Sequence, residues 1–407
     1  MDKYQEKYIS CFENKDRIKE ILPLFDEYIE RRNTGSIKWN VSENTLPLWI
    51  ADMDFKTADE ITKALRERVN HGIYGYTEPD DDFYNAYINF YKDRYNVDIK
   101  KEEILFSLGV VPTISSTVRK LTEVGDNVVV LSPVYNIFYN SIVNNQRNVL
   151  EVELIKDNDD YKIDWENLEK AFSLDKTKLI IFCNPANPVS KIWSKEELIR
   201  LGELASKYNV VVLSDEIHAF LTRPGTSYIP FFSLNETNRR ISVNAISVTK
   251  SFNLAGIHTS IIVIPNEDLR KKVNRQINTD EVAEPNIFSC VAAKAALSKS
   301  RDWLDALRVY LFANRDYVKD YLKEHIKNIH LIDGDATYLL WIDVSKVSAD
   351  SKAFVKYLKE NEGLYLSDGE VYGKGGKGFI RLNVACPRNT LAEALKRLEK
   401  GVKSFRS

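Results

Sequence analysis

Short apolar runs rich in β-branched residues alternate with stretches of helical periodicity through the middle of the chain. NVVVL (127–131), KLIIFC (178–183), VVVLSD (210–215), ISVNAISV (241–248) and SIIVI (260–264) show little polar alternation, the pattern of strands covered on both faces. Strands of this kind interleaved with amphipathic helices predict an α/β domain on a mainly parallel sheet. One helix has a marked start, because Ser194 followed by Glu197 in WSKEELIRLGELASKY reads as a capping box. From about residue 300 the rhythm changes: a long helical stretch, RDWLDALRVYLFANRDYVKDYLKEH, precedes short strands such as TYLLWID and FIRLNV. A smaller α+β domain is expected there. The first thirty residues predict one amphipathic helix with Ile18, Ile21, Leu22 and Phe25 on one face. The division that follows is 1–60 as an N-terminal helix and a segment joining the small domain, 61–295 as the large domain and 296–407 as the small one.

Composition narrows the function. At 407 residues the chain can bury a sizeable core in two packed units. With 57 basic and 59 acidic residues, and a net charge of -2, it carries neither a nucleic-acid footprint nor an acidic tail. Cys11, Cys183, Cys290 and Cys386 are far apart and form no C-x-x-C pair. That excludes a zinc framework and fits a reduced, cytoplasmic compartment. The N-terminus is charged throughout and no stretch approaches the roughly 20 apolar residues of a membrane span. No H-E-x-x-H pair occurs among the five histidines, so no metal site is expected. GKGGKG (373–378) lacks the Ser or Thr and the strand–helix context of a phosphate loop, and is read as a surface loop.

Four polar features fall just past the ends of expected strands, where open α/β sheets place ligands. In FSLGVVPTISSTVRK (106–120), Gly109 ends a strand and Pro112 begins a helix. Free amides and the helix dipole there suit a phosphate, although a plain strand-to-helix turn has the same wording. In CNPANPVSKIW (183–193), two prolines bracket Asn187, which fits a ligand loop or a merely rigid one. In SDEIH (214–218), Asp215 follows an apolar run; a carboxylate entering a core requires a cationic partner, in a site or in an ordinary ion pair. Lys250, in SVTKSFNLAG, follows another such run and could snorkel to solvent. Together they suggest more. A desolvated lysine attacks a carbonyl to form a Schiff base, and pyridoxal 5'-phosphate offers both that aldehyde and a phosphate.

The order of motifs resembles that of fold-type I pyridoxal-phosphate enzymes, the aspartate aminotransferase superfamily, and within it the cystathionine β-lyase (C-S lyase) branch. LPLWIADMDF, HGIYGYT, SLGVVP, SPVYNIF, CNPANPV, SDEIH, TKSFNLAG, TYLLWID and IRLNVACPR carry the likeness, from about residue 33 to the C-terminus. It implies a pyridoxal-phosphate-dependent transferase fold: a large domain on a mainly parallel seven-stranded sheet, with a smaller α+β domain. It further implies that Lys250 bonds the cofactor aldehyde, Asp215 pairs with the pyridine nitrogen and Tyr135 stacks on the ring. Asn187, with His218, would donate to the phenolic oxygen. Ser247, Thr249, Gly109, Val110 and Val111 would hold the phosphate, joined by Tyr76 of a second subunit, hence a homodimer. Arg381 matches the arginine that grips the substrate α-carboxylate, and Trp49 and Ala51 match the segment that closes over the substrate.

Three features depart from the branch. Ala186 stands where it usually has histidine and Ser190 where it has glycine; His258 replaces a phosphate-binding arginine of many aminotransferases; and the first twenty or so residues extend beyond the usual start. The implied activity is α,β-elimination on cystathionine or a cysteine S-conjugate, giving thiol, pyruvate and ammonia. The alternatives are a class I/II aminotransferase and a regulatory protein on the same fold.

Overall fold

The computed structural model describes residues 2–406. Seven strands form its large sheet: β1 (Ile104–Ser107), β2 (Asn127–Ser132), β3 (Asn148–Glu153), β4 (Thr177–Cys183), β5 (Val211–Asp215), β6 (Ser242–Ile246) and β7 (Ser260–Val263). Their order across the sheet is β1, β7, β6, β5, β4, β2, β3. The pairings from β6 through β5, β4 and β2 to β3 are parallel. β7 runs antiparallel to both its neighbours, with Ser260 opposite Ser107 and Ile261 opposite Ile246.

Successive side chains on the parallel strands enter two different cores, as the period of two requires. Val128, Val130, Leu179 and Ile181 pack with Ile114 and Val118, whereas Val129, Leu131, Ile180 and Phe182 pack with Leu198 and Leu201. The first pair of helical residues lies on α3 (Val110–Leu121) and the second on α4 (Lys195–Lys207). The expected capping box starts α4: Glu197 N–H donates to Ser194 Oγ at 3.1 Å and Ser194 N–H to Glu197 Oε2 at 2.8 Å.

A second, antiparallel sheet has the order β8 (His330–Ile332), β9 (Leu339–Asp343), β11 (Phe379–Asn383), β10 (Ser367–Asp368). Trp341 of β9 lies opposite Arg381 of β11. The helix α5 (Arg301–His325) runs beside it. Leu46–Pro47 pairs with Leu364–Tyr365, and Asn383 N–H donates to Leu48 O at 3.0 Å. The chain from Leu48 to Asp54 is thereby laid along the end of β11, where Asn383 Nδ2 donates to Ile50 O and Asp52 O.

The N-terminus corrects the single-helix expectation. It forms two short helices, α1 (Lys3–Ile9) and α2 (Lys15–Ile21), and a 3-10 turn over Leu22–Asp26. Asn14 sits at the start of α2, and Pro23 falls inside the 3-10 turn, where its missing N–H ends α-helical bonding. Ile18, Ile21, Leu22 and Phe25 are all buried. Among the described residues no helix is long and apolar enough to cross a membrane.

Candidate active site

The loops after β1, β2, β4, β5 and β6 meet at one edge of the large sheet. Asp215 is the last residue of β5 and lies opposite Cys183, the last of β4. Asn187 follows in a loop with cis peptide bonds before Pro185 and Pro188, closed by Ala186 N–H donating to Lys191 O at 2.9 Å. Lys250 stands four residues after β6 in a turn held by Leu254 N–H on Thr249 O at 2.9 Å. Gly109 caps α3 with no side-chain hydrogen bond. Its first amides are therefore free, at the positive end of the helix dipole.

These loops enclose a cavity of about 370 Å³. Lys250, Asp215, Asn187, His218, Tyr135 and Thr249 line it, together with Gly109, Val110, Val111 and Ala51. Of the remaining residues singled out in the sequence, Ser247 lies one layer back. It is 1% exposed, shares a 2.8 Å hydrogen bond with the Thr249 hydroxyl and donates to Thr259 O at 2.6 Å. Its place is behind Thr249 rather than on the cavity wall. Arg381 reaches the cavity through Asn187, donating from Nη1 to Asn187 Oδ1 at 3.2 Å and from Nη2 to Trp49 O at 2.9 Å. Trp49 itself stacks on Tyr365, with ring centroids 5.1 Å apart. Tyr76 is fully exposed and lines a different hollow with Ile257 and Phe288.

Burial governs the electrostatics. Lys250 Nζ donates to Ala51 O at 2.7 Å. Burial pulls its pKa down, opposed by Asp52 and Asp215 and aided by Arg381. Asp215 is pushed up to about 7 by burial, against the pull of the Ile217 amide and Lys250. Among the described residues the one hydrogen bond to its carboxylate is from Ile217 N–H at 3.0 Å. Burial, with Lys250 and Arg381, lowers His218 to about 3. The imidazole is thus neutral, and its Nδ1 has no partner among the described residues. Burial raises Tyr135 to about 12, so its phenol keeps its proton.

Several neighbours had not been singled out. Cys183 lines the cavity. Asp52 acts on Lys250 more strongly than Asp215 does, and Arg31 Nη2 holds it at 2.7 Å. Tyr338 is buried, its hydroxyl without a partner among the described residues, edge-on to His218 at 6.3 Å. Tyr372 lies under the Arg381 guanidinium at 4.9 Å. The signals were present, since Asp52 and Tyr338 belong to LPLWIADMDF and TYLLWID, but in the sequence the first motif points only to Trp49 and Ala51 and the second only to a strand of the small domain.

The residues fit pyridoxal 5'-phosphate. Asp215 is a buried carboxylate with one donor and a raised pKa, the state of an acid missing a cationic partner. A protonated pyridine nitrogen supplies that charge. Uncapped amides at the start of α3 and the Thr249 hydroxyl suit a phosphate, and the depressed lysine suits an aldehyde. The unpaired His218 Nδ1 leaves a polar atom for the guest.

The chain belongs to the aminotransferase class I and II family, which it matches over residues 43–398. Among individual proteins it is similar to cystathionine beta-lyase PatB of Bacillus subtilis, 38% identical over 382 residues that span 92% of this chain and 98% of that one. The solved structure of cystalysin from Treponema denticola, which contains pyridoxal 5'-phosphate, superposes with a TM-score of 0.91 at 31% identity, covering 94% of this chain and 99% of that chain. A PLP-bound putative aminotransferase from Clostridium difficile 630 gives a TM-score of 0.90 at 34% identity, covering 93% and 99%.

Proposed function

We propose that this protein is a pyridoxal-phosphate-dependent carbon–sulfur β-lyase acting on cystathionine or a cysteine S-conjugate. With one water consumed, the substrate yields a thiol, pyruvate and ammonia. Bound in the cavity, the cofactor supplies an aldehyde that bonds an amine and a ring that takes up electrons from the substrate α-carbon. Residues 61–295 hold that group in this reading, while 1–60 and 296–407 bring Trp49, Ala51 and Arg381 to the substrate.

Each side chain has a task its surroundings prepare. Lys250, desolvated and hydrogen-bonded among the described residues only to Ala51 O, would hold the cofactor aldehyde and serve as the base for the substrate α-proton. Asp215 would hold a proton on the ring nitrogen and be ionised beside that positive charge. Asn187 spends its carbonyl oxygen on Arg381 and keeps its amide N–H groups for the phenolic oxygen. Arg381, fixed by Asn187 and Trp49, presents its remaining N–H groups, among them the unpartnered Nε, to the α-carboxylate. Tyr135 flanks the ring. Gly109, Val110, Val111 and Thr249 hold the phosphate, with Ser247 orienting Thr249.

The choice of elimination is carried by the 38% identity to PatB over 98% of its length. Incubation with cystathionine should release pyruvate without any added keto acid. Pyruvate that appears only with a keto acid would assign transamination, which uses the same residues and is favoured by the 34% likeness to the Clostridium difficile protein.

A homodimer with shared sites belongs to the same proposal. Ile73, Tyr74 and Tyr76 are exposed at 66%, 60% and 103%, an apolar patch of the kind that marks an interface. A second copy delivers Tyr76 to the phosphate end of the cavity. Sedimentation should give a dimer, and Tyr76→Ala should weaken cofactor retention; a fully active monomer would contradict the assignment. The four free cysteines, three of them buried, accord with a reducing, cytoplasmic address.

A further inference from the structure

Ser190 closes the loop that carries Asn187, with φ of +58°, a left-handed backbone disfavoured for any residue bearing a Cβ. It is fully buried. Opposite it Thr337 is also left-handed, with φ of +62°, and β-branched residues tolerate that region worst. Two disfavoured residues face each other across the junction between the large sheet and the small one, and the structure retains both. Such positions persist where the surroundings over-determine them.

The compensation is visible. Ser190 Oγ donates to Leu339 O at 2.7 Å and lies 3.1 Å from Thr337 Oγ1. Buried Arg315 donates from Nη1 to Ser190 Oγ at 3.3 Å and to Ala336 O and Thr337 O at 3.2 Å. Ala336 N–H returns a bond to Ser190 O at 3.0 Å. The approach is so close that a Cβ on Gly334 would stand 2.2 Å from Ser190 O. Only glycine fits there.

These bonds close a triangle. One side is the Ser190 hydroxyl on Leu339, the first residue of β9. The second is the β9–β11 register, which sets Trp341 opposite Arg381. The third is Arg381 Nη1 on Asn187 Oδ1, three residues upstream of Ser190. We propose that the Ser190 hydroxyl is a positioning residue that fixes the Asn187–Arg381 contact and so tunes affinity for the substrate carboxylate. A glycine would satisfy the backbone but leave that side of the triangle open. The inference deepens the proposed function and rests on it for the assignment of Arg381 to a carboxylate.

The test compares Ser190→Gly and Ser190→Ala in the cofactor-loaded enzyme. L-Alanine, which has a carboxylate but no leaving group, is titrated against the cofactor absorption band, and KM and kcat are measured with cystathionine. Both variants should raise the half-saturating L-alanine concentration and KM by roughly five- to tenfold, the worth of about one hydrogen bond, with kcat changed less than about twofold. Melting temperature should separate them, because only Ser190→Ala keeps the disfavoured backbone without the hydroxyl. Should Ser190→Ala fail to fold, Ser190→Gly alone decides. Thr337→Ala combined with Ser190→Gly should be less than additive. Unchanged half-saturation in Ser190→Gly would overturn the inference and leave Ser190 a structural residue. A wild-type enzyme that binds L-alanine but yields no pyruvate from cystathionine would overturn the lyase reading alone, with the titration still deciding Ser190.

Discussion

Two polar clusters in this molecule, one half-buried at the surface and one at the cavity, each combine carboxylates with arginine and tyrosine and differ in whether their bonds are closed. Under α1, Tyr8 OH donates to Asp316 at 2.7 Å and accepts from Arg223, which also pairs with Asp333 at 2.8 Å and Asp335 at 2.7 Å. Lys319 completes Asp333 at 2.8 Å. Every carboxylate there has a cation. In the cavity, by contrast, the Asp215 carboxyl has one amide donor and His218 Nδ1 has no partner among the described residues, nor do Arg381 Nε and Tyr338 OH just behind its wall. Buried polar groups left open are costly and uncommon. A network that closes on itself holds structure, whereas one that stops at a cavity wall is waiting for a guest.

Substitutions on the two sides should therefore fail in opposite ways. Lys250→Ala should lower kcat at least about a thousandfold, while the cofactor-free protein melts no earlier than wild type, since a partly desolvated amine has been removed. An early melt would mean that Lys250 is structural. Asp215→Asn should cost about a hundredfold in kcat and alter the pH dependence of stability. Its pKa in the fold is about 7 against 3.8 ordinarily, so its contribution is fully present below the lower value and lost as pH rises through the upper one. The cofactor-free protein should lose stability over that window, in part through Glu216, which burial likewise raises to about 7. Asp215→Asn should flatten the loss, and urea titrations at several pH values would show an unchanged slope if Asp215 were not buried uncompensated.

On the closed side, Tyr8→Phe should destabilise by about 1 to 3 kcal/mol with kcat/KM unchanged; a matching loss of activity would blur the distinction between the clusters. Ser194→Ala, which removes only the cap of α4, should cost about 1 kcal/mol and nothing in the cofactor spectrum. Thermal melts of both variants provide the check.

Much of this architecture was legible because the strands are uniformly apolar and end in chemistry. Asp215 ends one strand and Lys250 follows another, and the fold brings both to one edge. The direction of β7 was not legible: SIIVI has the same wording in a parallel or an antiparallel strand, and only its partners, Ser107 and Ile246, fix its sense. The change from α2 to the 3-10 turn escaped because Ile18, Ile21, Leu22 and Phe25 form one buried face across a helix and a 3-10 turn alike. Ser247 and Thr249 look equivalent in SVTK, yet their hydrogen bonds put one behind the other. Asp52 was hidden in a segment whose partners are distant in sequence, and its charge acts on Lys250 because Asn383, at the end of β11, holds Leu48, Ile50 and Asp52.

The central claim is that one lysine, Lys250, holds the cofactor across the cavity from Asp215. Borohydride reduction of the cofactor-loaded protein, followed by peptide mass mapping, tests it directly. The account predicts a single pyridoxyl-phosphate adduct on the peptide containing Lys250. An adduct on any other lysine, or none, would contradict it.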